Sequence, residues 1–114
     1  GQDVAQQEVA YAISETTAPL MKGYFFLLAV VLAPLAEEIL FRGLVQNALA
    51  KKLPAWGAIL GASAIFGAVH MDYHAFPALM VMGAVFGILY HKTGSLRVNI
   101  VAHMVNNGAA LLLT

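Results

Sequence analysis

Residues 33–43 read APLAEEILFRG, and they place Glu37, Glu38 and Arg42 inside a chain that is otherwise mostly apolar. The 114 residues are 61% hydrophobic and only 11% charged, with a mean hydropathy of +0.77. Soluble domains carry roughly 25% charged residues, so this chain has too few to cover a water-facing surface, and a membrane protein is expected. Six basic and six acidic residues cancel, which gives no basic patch and no reason to expect a nucleic-acid partner. The absence of cysteine excludes disulfides, thiolate ligands and a cysteine nucleophile. One domain is the most that this length accommodates.

Around the opening stretch the chain divides into apolar segments at 23–50, 53–70, 75–90 and 98–114, separated by KKLP (51–54), MDYHAFP (71–77) and HKTGSLR (91–97). The last three segments are 18, 16 and 17 residues long, short beside the roughly 20 needed to cross a hydrocarbon core of about 30 Å. None alternates with period 2, so strands are not expected. The sequence predicts an all-α, multi-span transmembrane bundle of about four apolar helices. An N-terminal lead-in segment occupies 1–21, with a helix of mixed polarity over 3–17 and a break at Pro19. The N-terminus lacks the basic and apolar regions of a signal peptide. Beginning at Gly1, the chain reads as a segment of a longer protein. Gly57/Gly61 and Gly83/Gly87 each form a GxxxG that permits close helix approach.

Lys51, Lys52, Lys92 and Arg97 lie on the first and third connections, whereas the second carries only Asp72. The positive-inside rule places 51–54 and 91–97 in the cytoplasm, and the expected localisation is an integral protein of a bacterial cytoplasmic membrane.

A charge inside a bilayer is costly, and such residues are functional candidates. Glu38 and Arg42, four residues apart on one helical face, neutralise each other. Glu37 lies about 100° around the helix and has no local partner. Two other segments offer partners. His70 ends FGAVH with Phe66 four residues before it; His103 opens HMVNN with Asn107 four residues after it, although Asn106 shares that face. A carboxylate with an imidazole can hold and deprotonate a water, and a second imidazole with a carboxamide can donate to an oxyanion. Those are the parts of amide hydrolysis by an activated water. His70 and His74 also form HxxxH, a spacing able to chelate a metal on a continuous helix, but His74 sits in the MDYHAFP connection.

EEILFR, FGAVH and HMVNN fit EExxxR, FxxxH and HxxxN in order. Over about residues 22–114 this resembles the CPBP intramembrane proteases, which include type II CAAX prenyl endopeptidases and the Abi bacteriocin-immunity proteins. The resemblance implies an intramembrane endopeptidase in which Glu37 and His70 activate water, His103 and Asn107 stabilise the oxyanion, and Glu38 and Arg42 brace the site with Phe66 packed beside it. It implies a membrane-associated peptide or protein substrate, CAAX-type prenylated in some relatives. A metalloprotease with zinc or another divalent metal on Glu37, His70 and His103 stays open, as does a metal-free water. The alternatives are a non-catalytic immunity or partner-binding membrane protein and, behind it, a small transporter.

The catalytic reading requires the three segments to converge. At about 1.5 Å per residue, Glu37 and His70 lie roughly 21 and 24 Å from their nearest cytoplasmic connection, but His103 only about 9 Å from Arg97. Either the helices are staggered or the last one begins deeper.

Overall fold

The computed structural model describes residues 2–113; Gly1 and Thr114, the outer ends of the expected lead-in and fourth segments, lie outside them. The described residues form helices and connecting turns, with no strand among them. Helix runs unbroken from 2 to 50: α1 (Gln2–Leu27), a π-helical segment Leu28–Leu32, α2 (Ala33–Glu38), a second π-helical segment Ile39–Gln46 and α3 (Asn47–Ala50). Then come α4 (Ala55–Val69), α5 (Phe76–Thr93) and α6 (Leu96–Leu113). The expected break at Pro19 is corrected: Pro19 lies inside α1. In a membrane-type helix, a proline removes one backbone donor without forcing the helix to end. A straight helix of this length extends roughly 70 Å, and the longest dimension of the molecule is 70 Å.

Local chemistry sets the remaining boundaries. Lys51 and Lys52 end the long helix in a turn, and Pro54 (ψ 163°) is extended before α4. Asp72 Oδ1 accepts the N–H groups of His74 and Ala75 ahead of α5, whose first turn holds Pro77, where a missing N–H costs nothing. Gly94 ends α5 in the left-handed region (φ 63°), its N–H bonded to Tyr90 O, as helix C-termini favour. Ser95 Oγ accepts Val98 N–H and caps α6.

Among the described residues, two helices are long and apolar enough to cross a membrane: the continuous Asp3–Ala50 stretch and α5. Helix α4 is apolar but only 15 residues long, and α6 is diluted by Asn99, His103, Asn106 and Asn107. A small apolar core that includes Phe41, Ile59, Phe66 and Phe86 is buried together with polar side chains, while many large apolar side chains face outward. Leu20, Leu44, Val81, Val101 and Val105 are exposed, while Glu38, Arg42, Gln46, Ser63, Asn99 and His103 are buried. Polar groups gathered inside an apolar exterior suit a hydrocarbon solvent, where every polar group needs an internal partner.

Glycines bring α4 and α5 together as the GxxxG spacing anticipated. A Cβ on Gly83 would stand 3.2 Å from Ser63 Cα, and one on Gly87 would stand 3.0 Å from Ile59 Cγ2. Gly61 instead faces the long helix, against Leu49.

Candidate active site

The centre of the bundle is Glu38, whose side chain is fully buried. Its Oε1 accepts from Arg42 Nη1 at 3.2 Å and stands 2.8 Å from His103 Nδ1; its Oε2 accepts from Asn99 Nδ2 at 3.1 Å. Three donors from two helices thus hold one carboxylate, a degree of satisfaction that a buried anion requires. Arg42 reaches onward to Gly83 O at 2.6 Å and lies 5.4 and 5.8 Å from the ring centres of Phe66 and Phe86. One turn further along, Gln46 donates to Gly87 O at 3.1 Å. The α5 carbonyls of Gly83, Phe86 and Gly87 are each approached by a side-chain donor, so a polar seam runs down the interior from the two glutamates.

Glu37 points elsewhere, as the helical offset predicts, and remains 26% exposed. Its Oε1 lies 3.7 Å from His70 Nε2 and its Oε2 lies 3.4 Å from His103 Nε2. Both distances exceed a tight hydrogen bond, so the carboxylate is close to two imidazoles and bound firmly by neither. The expected convergence of Glu37, His70 and His103 from three separate helices is therefore met. The depth conflict resolves through α6: Leu96, its first residue, packs where a Gly43 Cβ would be, 3.3 Å from Leu96 Cδ1. That helix starts well inside the 51–54 connection.

Both rings are oriented by their other nitrogen. His70 Nδ1 is 2.6 Å from Phe66 O; a carbonyl only accepts, so Nδ1 carries a proton and Nε2 is the ring atom turned towards Glu37. Phe66, fully buried, meets His70 edge-on at 4.8 Å and Phe41 at 5.1 Å. His103 is clamped between Glu38 at Nδ1 and the Phe86 ring, stacked at 4.8 Å and 20°. Asn107 makes its bond away from the carboxylates, donating to Ala29 O at 2.9 Å. His74 lies outside any helix and is exposed, so HxxxH does not form a chelating face. Asn106 is exposed and donates to Met82 Sδ at 3.5 Å.

Asn99 is the buried site residue that motif spacing did not single out. Its position four before His103 put it on the same helical face, which was the available signal. Its orientation is fixed chemically: Glu38 Oε2 and Phe86 O, at 3.1 and 2.7 Å, are both acceptors, so Nδ2 faces them.

Among the described residues, no three His, Asp or Glu side chains are arranged to hold a metal ion.

Comparison with known proteins agrees with the motifs. The model of the Rce1-like family of type II CAAX prenyl endopeptidases matches residues 19–109. The chain is 35% identical over 83 residues to the Bacillus subtilis (strain 168) protein named "Putative membrane peptidase YdiL", covering 73% of this chain and 34% of that protein. It is 30% identical over 100 residues to the "Membrane-embedded CAAX protease MroQ" of Staphylococcus aureus (strain USA300), covering 77% of this chain and 38% of that protein. The chain thus spans about a third of the length of these curated relatives. No solved structure matches it. With its three motifs assembled around Glu37 and Glu38, the chain belongs to the Rce1-like family of type II CAAX prenyl endopeptidases.

Proposed function

We propose that this chain carries the catalytic centre of an intramembrane endopeptidase that hydrolyses a peptide bond of a membrane-associated substrate, a CAAX-type prenylated peptide being the first candidate. The observation that carries this reading is the Glu37 carboxylate, partly open, between the Nε2 atoms of His70 and His103 at 3.7 and 3.4 Å.

Glu37 acts as general base. A water donates one O–H to Glu37 and the other to His70 Nε2, whose lone pair is available because Nδ1–H is spent on Phe66 O. Glu37 takes the proton as the water oxygen attacks the scissile carbonyl carbon. The resulting oxyanion accepts from His103 Nε2–H and from an Asn107 N–H. Donation from Nε2 needs His103 protonated on both nitrogens, and Glu38, 2.8 Å from Nδ1, supplies the counter-charge. Glu37 then passes its proton to the leaving nitrogen, the C–N bond breaks, and an acid and an amine result. Arg42 and Asn99 keep Glu38 in place. We place the protein in a bacterial cytoplasmic membrane with 51–54 and 91–97 on the cytoplasmic side.

The test is cleavage by the protein reconstituted in proteoliposomes. A farnesylated CAAX peptide and its unprenylated counterpart are compared for wild type and His70→Ala, with and without chelator. The reading expects cleavage that falls at least tenfold in His70→Ala and prefers the prenylated peptide. No cleavage of either peptide, or full activity in His70→Ala, contradicts it. The chelator arm reports metal dependence separately.

A further inference from the structure

Pro34 is fully buried three residues before Glu37 and sits where the helix changes its hydrogen-bond register. The backbone between the two elements shows what it does. In an α-helix the carbonyl of Ala29 would accept the N–H of Ala33; in a π-helix it would accept from residue 34. Ala33 N–H goes instead to Leu28 O, and residue 34, a proline, has no N–H to offer. Ala29 O is therefore denied both intrahelical donors. A carbonyl in an apolar interior without a donor is costly, and the partner it finds is Asn107 Nδ2, at 2.9 Å from the opposite side of the bundle. Gly108 lies beside Val30 there, where a Cβ would make an ordinary contact at 3.6 Å from Val30 Cγ1.

We infer that Pro34 is a positioning residue for Asn107: by removing one N–H from the long helix it leaves the Ala29 carbonyl as the anchor that orients the Asn107 carboxamide. The amide nitrogen carries two N–H groups. One is spent on Ala29 O, which fixes the plane and rotamer of the side chain, and the other is thereby aimed without a search among rotamers. The inference deepens the proposed reaction, because it rests on Asn107 donating to the oxyanion. The long helix thus contributes to the site twice, through Glu37 directly and through an acceptor that Pro34 frees one turn earlier.

A double-mutant cycle tests this in the reconstituted protein with peptide titrated to saturation. Pro34→Ala restores an N–H and improves helix propensity, so loss of fold is not the expected outcome. Asn107→Ala should lower kcat about 100-fold, in the range for a single oxyanion donor. Pro34→Ala should lower kcat about tenfold with KM changed less than threefold, and the double variant should be no slower than Asn107→Ala alone. The Asn107 side-chain amide resonance, assigned by its loss in Asn107→Ala, should move in Pro34→Ala. The two possible failures are distinct. Full kcat in Asn107→Ala ends the oxyanion role. Equal losses from Pro34→Ala in the wild-type and Asn107→Ala backgrounds, or an unmoved Asn107 resonance, overturn the positioning role.

Discussion

Replacing Arg42 by Met tests whether the buried charges are held as a set. Arg42 is 1% exposed, bonds Glu38 at 3.2 Å and Gly83 O at 2.6 Å, and lies against two phenyl rings. Removing one partner of a buried ion pair costs about 3–5 kcal/mol, because the remaining charge is left uncompensated. Glu38 keeps His103 and Asn99, which puts the cost near the lower end. Met retains contact with the rings of Phe66 and Phe86 through its sulfur, offsetting part of the lost cation–π attraction of about 1 kcal/mol. The net expectation is a loss of about 3 kcal/mol, or roughly two decades in the folding equilibrium. The double variant Glu38→Gln/Arg42→Met removes both charges and should recover about half of that loss, since neutral groups are cheaper to bury. SDS titration of the protein in mixed micelles, followed by fluorescence of the single tryptophan, measures all three. A single-variant loss below about 1 kcal/mol, or a double variant less stable than the single, refutes the charge-set reasoning.

Two further outcomes follow from the packing. Gly83→Ala drives a Cβ to 3.2 Å from the Ser63 backbone, whereas Gly61→Ala meets only the tip of Leu49 at 2.9 Å; SDS titration should show about 1–3 kcal/mol lost in the first and less than about 1 kcal/mol in the second. Asn99→Leu strips a donor from Glu38 Oε2 and from Phe86 O and should cost about 1–3 kcal/mol in the same titration, with a smaller cost when Glu38 is already Gln.

The sequence made the site legible because its chemistry repeats at helical spacing. Glu38 and Arg42 pair four residues apart, and the partners of Glu37 could be sought only on other apolar segments, at His70 and His103. What it left out has physical causes. The π-helical segments on either side of α2 shift the register, and no four-residue rule reports that. Pro19 was read as a boundary because proline ends helices in water, yet here the helix continues. Of the two alternatives for the depth of His103, Leu96 packed against Gly43 shows the last helix beginning deeper, which distance along the chain from Arg97 does not report. Asn99 lay on the His103 face throughout, but a buried amide gains meaning only once Glu38 and Phe86 O are known to be its neighbours. Asn107 was assigned beside its histidine; that its anchor is a carbonyl of the long helix emerges only from the fold.

The most direct measurement is kcat/KM for peptide cleavage by Glu37→Gln against wild type in the same liposomes, together with their SDS unfolding midpoints. With Glu37 as general base, kcat/KM should fall by about 10²–10⁴-fold while the midpoint is unchanged, because this carboxylate is partly open and tightly bonded to nothing. Activity within tenfold of wild type in a folded Glu37→Gln protein would contradict the account.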